Sequence, residues 1–210
     1  MTQQQQRPAR QSAAPLTPRL VLARYAALLG ANRRWLGLIV LLFAASLVAG
    51  SIGAAVNPAT HQEYLQRLTE RLEPALLALR GGDALAAIGL IFWNNLRSTL
   101  LILGMGALIF PMVLGLPLLA VGSNGYLLGA LVVLSGMGPL RVLASILPHG
   151  VFELPALFVA GAWSLKMGVG WLMPSASGRR LATWSETVAE GLWIVPLLVV
   201  LLVIAALVEV

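Results

Sequence analysis

Residues 36–56 contain no charged side chain. About 20 consecutive apolar residues are what a helix needs to cross the hydrocarbon core of a bilayer. In lipid the backbone amides must be satisfied within the segment itself, so this stretch is expected to be a transmembrane helix. Small residues near its end (Ala49, Ser51 and Ala54) would suit cleavage of a signal peptide. The stretch ahead of the run is long, however, and the run exceeds a usual signal core, so an uncleaved anchor is expected.

The whole chain carries the same imprint. Of its 210 residues, 59% are hydrophobic and 10% charged, against about 25% charged in a soluble domain. There is no cysteine, which excludes disulfides, thiolate metal sites and thiol catalysis. The net charge of +6 is unevenly placed. Arg7, Arg10, Arg19, Arg24, Arg33 and Arg34 precede the first apolar run with no acid among them. That pattern marks a cytoplasmic terminus in contact with anionic lipid. It comes with no nucleic-acid motif, so no nucleic-acid partner is expected.

Residues 1–35 read as a basic cytoplasmic tail. The first 17 are rich in Gln, Ala and Pro and lack a core-forming pattern. Thr17-Pro18 can cap and start a short interfacial helix bearing Leu20, Tyr25 and Leu28. Residues 36–210 read as a single membrane domain. Within it, residues 57–82 form an external amphipathic helix. Thr60-x-x-Glu63 is a capping box, Leu65, Leu68, Leu72, Ala75 and Leu79 follow a seven-residue pattern, and Glu63 can pair with Arg67. Pro74 would kink this helix and Gly81-Gly82 would end it.

Residues 84–136 are long enough for two spans. They are interrupted by Asn94, Asn95, Arg97 and Asn124. The expected division puts Asn94 and Asn95 near one interface and a tight turn at Gly122-Ser123-Asn124-Gly125, with Pro111 and Pro117 bending the helices. A short connection over 137–146 leads to a span starting at Pro148 and running to about Met173. The last span is expected over about 191–208. Five spans place nine basic residues in the cytoplasm: the six leading arginines, Lys166, Arg179 and Arg180. Arg67, Arg71, Arg80, Arg97 and Arg141 fall outside. That bias supports the orientation. A four-span arrangement with a re-entrant segment is the competitor. The fold expected is thus all-α: a polytopic membrane protein with about five transmembrane helices plus an external amphipathic helix.

Polar groups at membrane depth are expensive and seldom lack a partner or a task. The candidate cluster is Asn94, Asn95, Asn124, His149 and Glu153. Pro148, Gly150, Gly125 and Gly129 shape the backbone around it. His149 and Glu153 are four apart, so on a helix they share a face. There they can exchange a proton, offer two metal ligands, or join Asn94, Asn95 and Asn124 in a buried hydrogen-bonded network that fixes helix register. A metal site needs three or four, and the His-Glu-x-x-His pattern is absent, so metal binding stays open. Gly125-x-x-x-Gly129 allows close helix approach, within the chain or between two copies.

The order Asn94-Asn95, Asn124-Gly125 with Gly129, then Pro148-His149-Gly150-x-x-Glu153-x-Pro155-Ala156 resembles the stage II sporulation protein M family of integral membrane proteins. The resemblance covers roughly residues 35–210. It implies a multispanning protein of the bacterial inner membrane, without established enzymatic activity or cofactor. The family's founding member anchors a complex of cell-wall hydrolases during engulfment. The leading expectation is therefore a non-enzymatic scaffold or partner in cell-envelope remodelling, with a homodimer expected. A transporter using the Asn/His/Glu site and a membrane-embedded metal-dependent enzyme are the alternatives.

Overall fold

The computed structural model describes residues 17–63, 65–66, 70, 73, 77, 81–108, 115–172 and 180–209, with Leu143, Ile146, His149, Trp171, Leu172 and Glu209 described as backbone alone. Every regular element among them is helical. The order is α1 (Pro18–Ala31), α2 (Arg33–Val56), α3 (Ala84–Met105), α4 (Gly115–Leu134), α5 (Pro139–Leu172) and α6 (Arg180–Glu209). The chain divides between Ala31 and Asn32 into two units.

The first unit contains α1. The Thr17 carbonyl accepts from the Val21 amide at 3.1 Å, and Pro18 holds the first helical position, where its missing N–H leaves nothing unsatisfied.

Among the described residues the second unit holds α2 to α6 and a further helical stretch at 58–63. Four are long and apolar enough to cross a membrane: Arg33–Val56, Ala84–Met105, Gly115–Leu134 and Arg180–Val208. The most extensive pairing is α2 with α4, and glycines make it possible. A Cβ on Gly50 would overlap the Tyr126 carbonyl, one on Gly129 the Leu47 carbonyl, and one on Gly125 would stand 2.5 Å from the Phe43 carbonyl. The Ser51 hydroxyl lies 3.1 Å from both the Leu47 and the Gly129 carbonyls. Phe43 faces Gly125 and Leu47 faces Gly129; Ser46 faces Gly122 and Gly50 faces Tyr126. Position numbers rise together on the two helices, so α2 and α4 run parallel.

α5 crosses this pair in the opposite sense. Gly161 meets Val121 and Ile39, and the Phe158 ring meets Phe43 edge-on at 5.1 Å. Small residues on α5, Ala156, Ala160 and Ala162, are fully buried and let the neighbours close in. Trp163 of α5 and Ile194, Leu198 and Leu202 of α6 complete the core.

Three boundaries differ from the sequence reading. Gly122-Ser123-Asn124-Gly125 is not a turn but lies within α4, because those glycines serve the contact with α2. The break falls instead between Met105 and Gly115, and Pro117 takes the first turn of α4. Pro148 does not open a span. The helix starts at Pro139 and carries Pro148 and Pro155 inside it, both exposed, so the rings stand clear of the packed face. The turn before it is Ser135–Gly138, where Gly136 and Gly138 adopt φ of 67° and 82°, a region that favours glycine. The last helix begins at Arg180 rather than 191.

Residues 58–63 are helical. The Gly81 amide donates to the Leu77 carbonyl at 2.9 Å, Gly82 reverses the chain at φ 77°, and Asp83 caps α3 by accepting from the Ala86 amide at 3.0 Å. Arg67, Leu68, Leu72, Pro74, Ala75, Leu79 and Pro111 lie outside the described residues.

Candidate functional site

Asn94 and Asn95 stand at the middle of α3 rather than at its end. Asn94 is exposed and donates to the Asn95 side-chain oxygen at 3.4 Å, while Ser98 Oγ donates to the Asn94 carbonyl at 2.9 Å. Asn124, also exposed, donates to the Ala120 carbonyl one turn back at 2.8 Å. These bonds stay on their own helices. The adjacent Gly125 and Gly129 face α2 within the same chain, so the glycine motif is used for internal packing.

Glu153 is half-buried on α5, four residues beyond His149 on the same continuous helix. Gly150 is buried and Pro148 exposed. Among the described residues no group of three His, Asp or Glu side chains is placed to hold a metal ion.

Two further polar contacts join elements far apart in sequence. His61, just beyond α2, places Nδ1 2.7 Å from the Asn57 carbonyl and Nε2 2.7 Å from the Tyr126 hydroxyl. A carbonyl only accepts, so Nδ1 carries the proton; in the neutral ring Nε2 then accepts from the tyrosine. The two rings stack with centroids 5.6 Å apart. His61 falls in the segment 57–82 expected to be external, and its partner lies 65 positions away, beyond any local signal.

The second contact is Lys166 Nζ to Glu190 Oε2, 2.6 Å across α5 and α6, both side chains partly buried. The sequence reading used Lys166 only as a topology marker, and Glu190 carried no local signal. One turn away, Trp163 Nε1 and Ser164 Oγ are buried without a hydrogen-bond partner among the described residues. Here Ser164 packs its backbone against Gly106, where an added Cβ would overlap the Ser164 carbonyl.

Membrane-length helices packed through glycine contacts, with polar groups bonded between and along them, define a multi-pass helical membrane protein. A family model, Stage II sporulation protein M, matches residues 39–210, and the chain belongs to that family. The match runs from within α2 through α6 and leaves out α1. No curated protein and no solved structure matches the chain.

Proposed function

We propose that this protein is a non-enzymatic scaffold of the bacterial inner membrane that positions partners in cell-envelope remodelling. One observation carries the reading: Asn94 and Asn124 turn their amides back onto their own helices instead of into a shared cavity. Asparagine amides spent on local bonds support a frame better than a solute path. The glycine contacts between α2 and α4 make that frame stiff, since backbone-to-backbone packing leaves little room to slide.

The same geometry supports five spans. Parallel α2 and α4 must enter the bilayer from the same side, so the chain recrosses once between them, and α3 has the length and apolarity to do so. α5 runs against α2 and α4. α6 pairs with α5 after a short connection and completes the set. On this reading residues 57–82 and the Ser135–Gly138 turn share one side of the membrane. By the arginine bias that side is external and the N-terminus is cytoplasmic. The external segment is pinned to α4 through His61 and Tyr126, and it is the surface offered to cell-wall-remodelling partners.

The test is photo-crosslinking in cells from Glu63, Glu70, Glu73 and Leu77, all exposed, alongside an ion-flux assay in liposomes. A scaffold yields discrete crosslinks to envelope proteins and no flux. A transport reading draws on the Lys166–Glu190 pair. Wild-type flux abolished by a well-folded Glu153→Gln or Glu190→Gln variant would replace the scaffold with a transporter.

A further inference from the structure

A groove of about 370 Å³ runs between α2 and α4 along the edge of their glycine contact, sharing Ser46, Gly122 and Tyr126 with it. Leu42, Ser46 and Ala49 form one wall; Leu118, Leu119 and Gly122 form most of the other. Ala49 and Leu119 are exposed, so the groove opens sideways to the medium around two membrane-length helices. The Ser123 hydroxyl at its edge is spent on the Ala120 carbonyl at 3.0 Å, which leaves the lining apolar in character. An apolar groove at this depth gains nothing from water, which needs several polar partners to stay.

The two ends differ. Because α2 and α4 are parallel, Tyr126 is the lining residue farthest from the start of α2, and it is fastened to His61 by the 2.7 Å bond. The held Tyr126 ring borders that end. The other end continues down α2 through Leu42 and Leu38 to Arg34, spaced four apart on one flank, with Leu38 48% exposed. From Leu42 to Arg34 is two turns, roughly 12 Å along the axis. Arg33 and Arg34 are exposed, and Trp35 beside them suits the headgroup level. An apolar slot bordered at one end by Tyr126 and leading at the other to Arg34 is complementary to one amphiphile, negatively charged at its head.

We propose that the α2–α4 groove holds one acyl chain of an anionic phospholipid, whose phosphate is bound by Arg34. The chain follows Leu38 and Leu42 into the groove and ends below Tyr126. Arginine suits the task because its planar fork binds two phosphate oxygens at once. The site does not depend on which side of the membrane the N-terminus occupies, and it stands whether the protein is a scaffold or a transporter.

Native mass spectrometry of the full chain tests this, after delipidation and incubation with phosphatidylglycerol or with phosphatidylcholine of the same acyl chains. One phosphatidylglycerol is expected to be retained per chain, about tenfold better than phosphatidylcholine. Ala49→Phe and Leu119→Trp fill the groove from opposite walls, both at exposed positions. Each is expected to lower retention of both lipids about tenfold with the melting temperature unchanged. Arg34→Gln is expected to remove the preference for phosphatidylglycerol while leaving residual binding, and Arg33→Gln, on the opposite side of α2, is expected to keep it. Equal retention of the two lipids by the wild type overturns the headgroup assignment. Wild-type retention in both groove-filling variants overturns the groove assignment, even if one of them folds poorly.

Discussion

Lys166 Nζ lies 2.6 Å from a carboxylate oxygen of Glu190, joining α5 to α6 across 24 positions of the chain. Both side chains are partly buried, at 23% and 32% exposure, so removing one partner strands the other where water solvates it incompletely. Lys166→Met and Glu190→Gln are each expected to cost on the order of 1–3 kcal/mol. The double variant Lys166→Met/Glu190→Gln should lose less than the sum of the two single variants. Thermal melting of the four proteins in one detergent gives the coupling. Strict additivity of the single variants would show that the contact contributes nothing.

The glycine contacts predict a sharp contrast between positions. Gly129→Ala forces a methyl group into the Leu47 carbonyl, and Gly37→Ala meets nothing within 4 Å. The first is expected to destabilise by about 1–3 kcal/mol, as overpacking does. The second should be neutral or slightly stabilising, because alanine is the better helix former. Equal melting temperatures for the two would mean that α2 and α4 are not in backbone contact.

Tyr126→Phe deletes the hydroxyl that holds His61 and keeps the ring stack. Loss of one ordinary hydrogen bond costs about 0.5–1.5 kcal/mol. The effect should be local, with faster hydrogen exchange over residues 58–63 and little change in α5 or α6. Unchanged exchange over 58–63 would show that the bond does not hold that segment.

Ser164→Ala is expected to leave stability unchanged or raise it by up to about 1 kcal/mol. The hydroxyl is buried without a partner among the described residues, and taking away an unsatisfied group of similar shape removes a desolvation penalty. A loss of more than 1 kcal/mol on melting would reveal a bond that this hydroxyl makes.

Much of the helical framework could be read from residues alone. Residues 36–56 allow one conformation in lipid, and helix α2 covers them. Gly81-Gly82 ends its segment, since Gly82 adopts the positive φ that glycine tolerates best. The misreadings share a cause. Gly122 to Gly125 has the composition of a turn, and what keeps it helical is α2, supplied by a segment about 75 positions earlier. Pro148 carries a helix-start signal, yet a proline ring facing away from packed neighbours can sit within a membrane helix. The candidate polar cluster was visible as residue types, but the partners of Asn94 and Asn124 are a neighbour and a backbone carbonyl on the same helix. The His61–Tyr126 and Lys166–Glu190 contacts were out of reach because both are tertiary and neither has a periodic signature.

The parallel alignment of α2 and α4 also fixes an order of assembly. A newly made α2 cannot find its closest neighbour until α3 has been threaded back and the ribosome has passed Leu134. Until then Gly50 and Ser51 present bare backbone to lipid or to whatever insertion machinery shields them. The chain therefore spends much of its synthesis with its tightest joint unmade, and fragments ending before Leu134 should be the ones that quality-control proteases recognise.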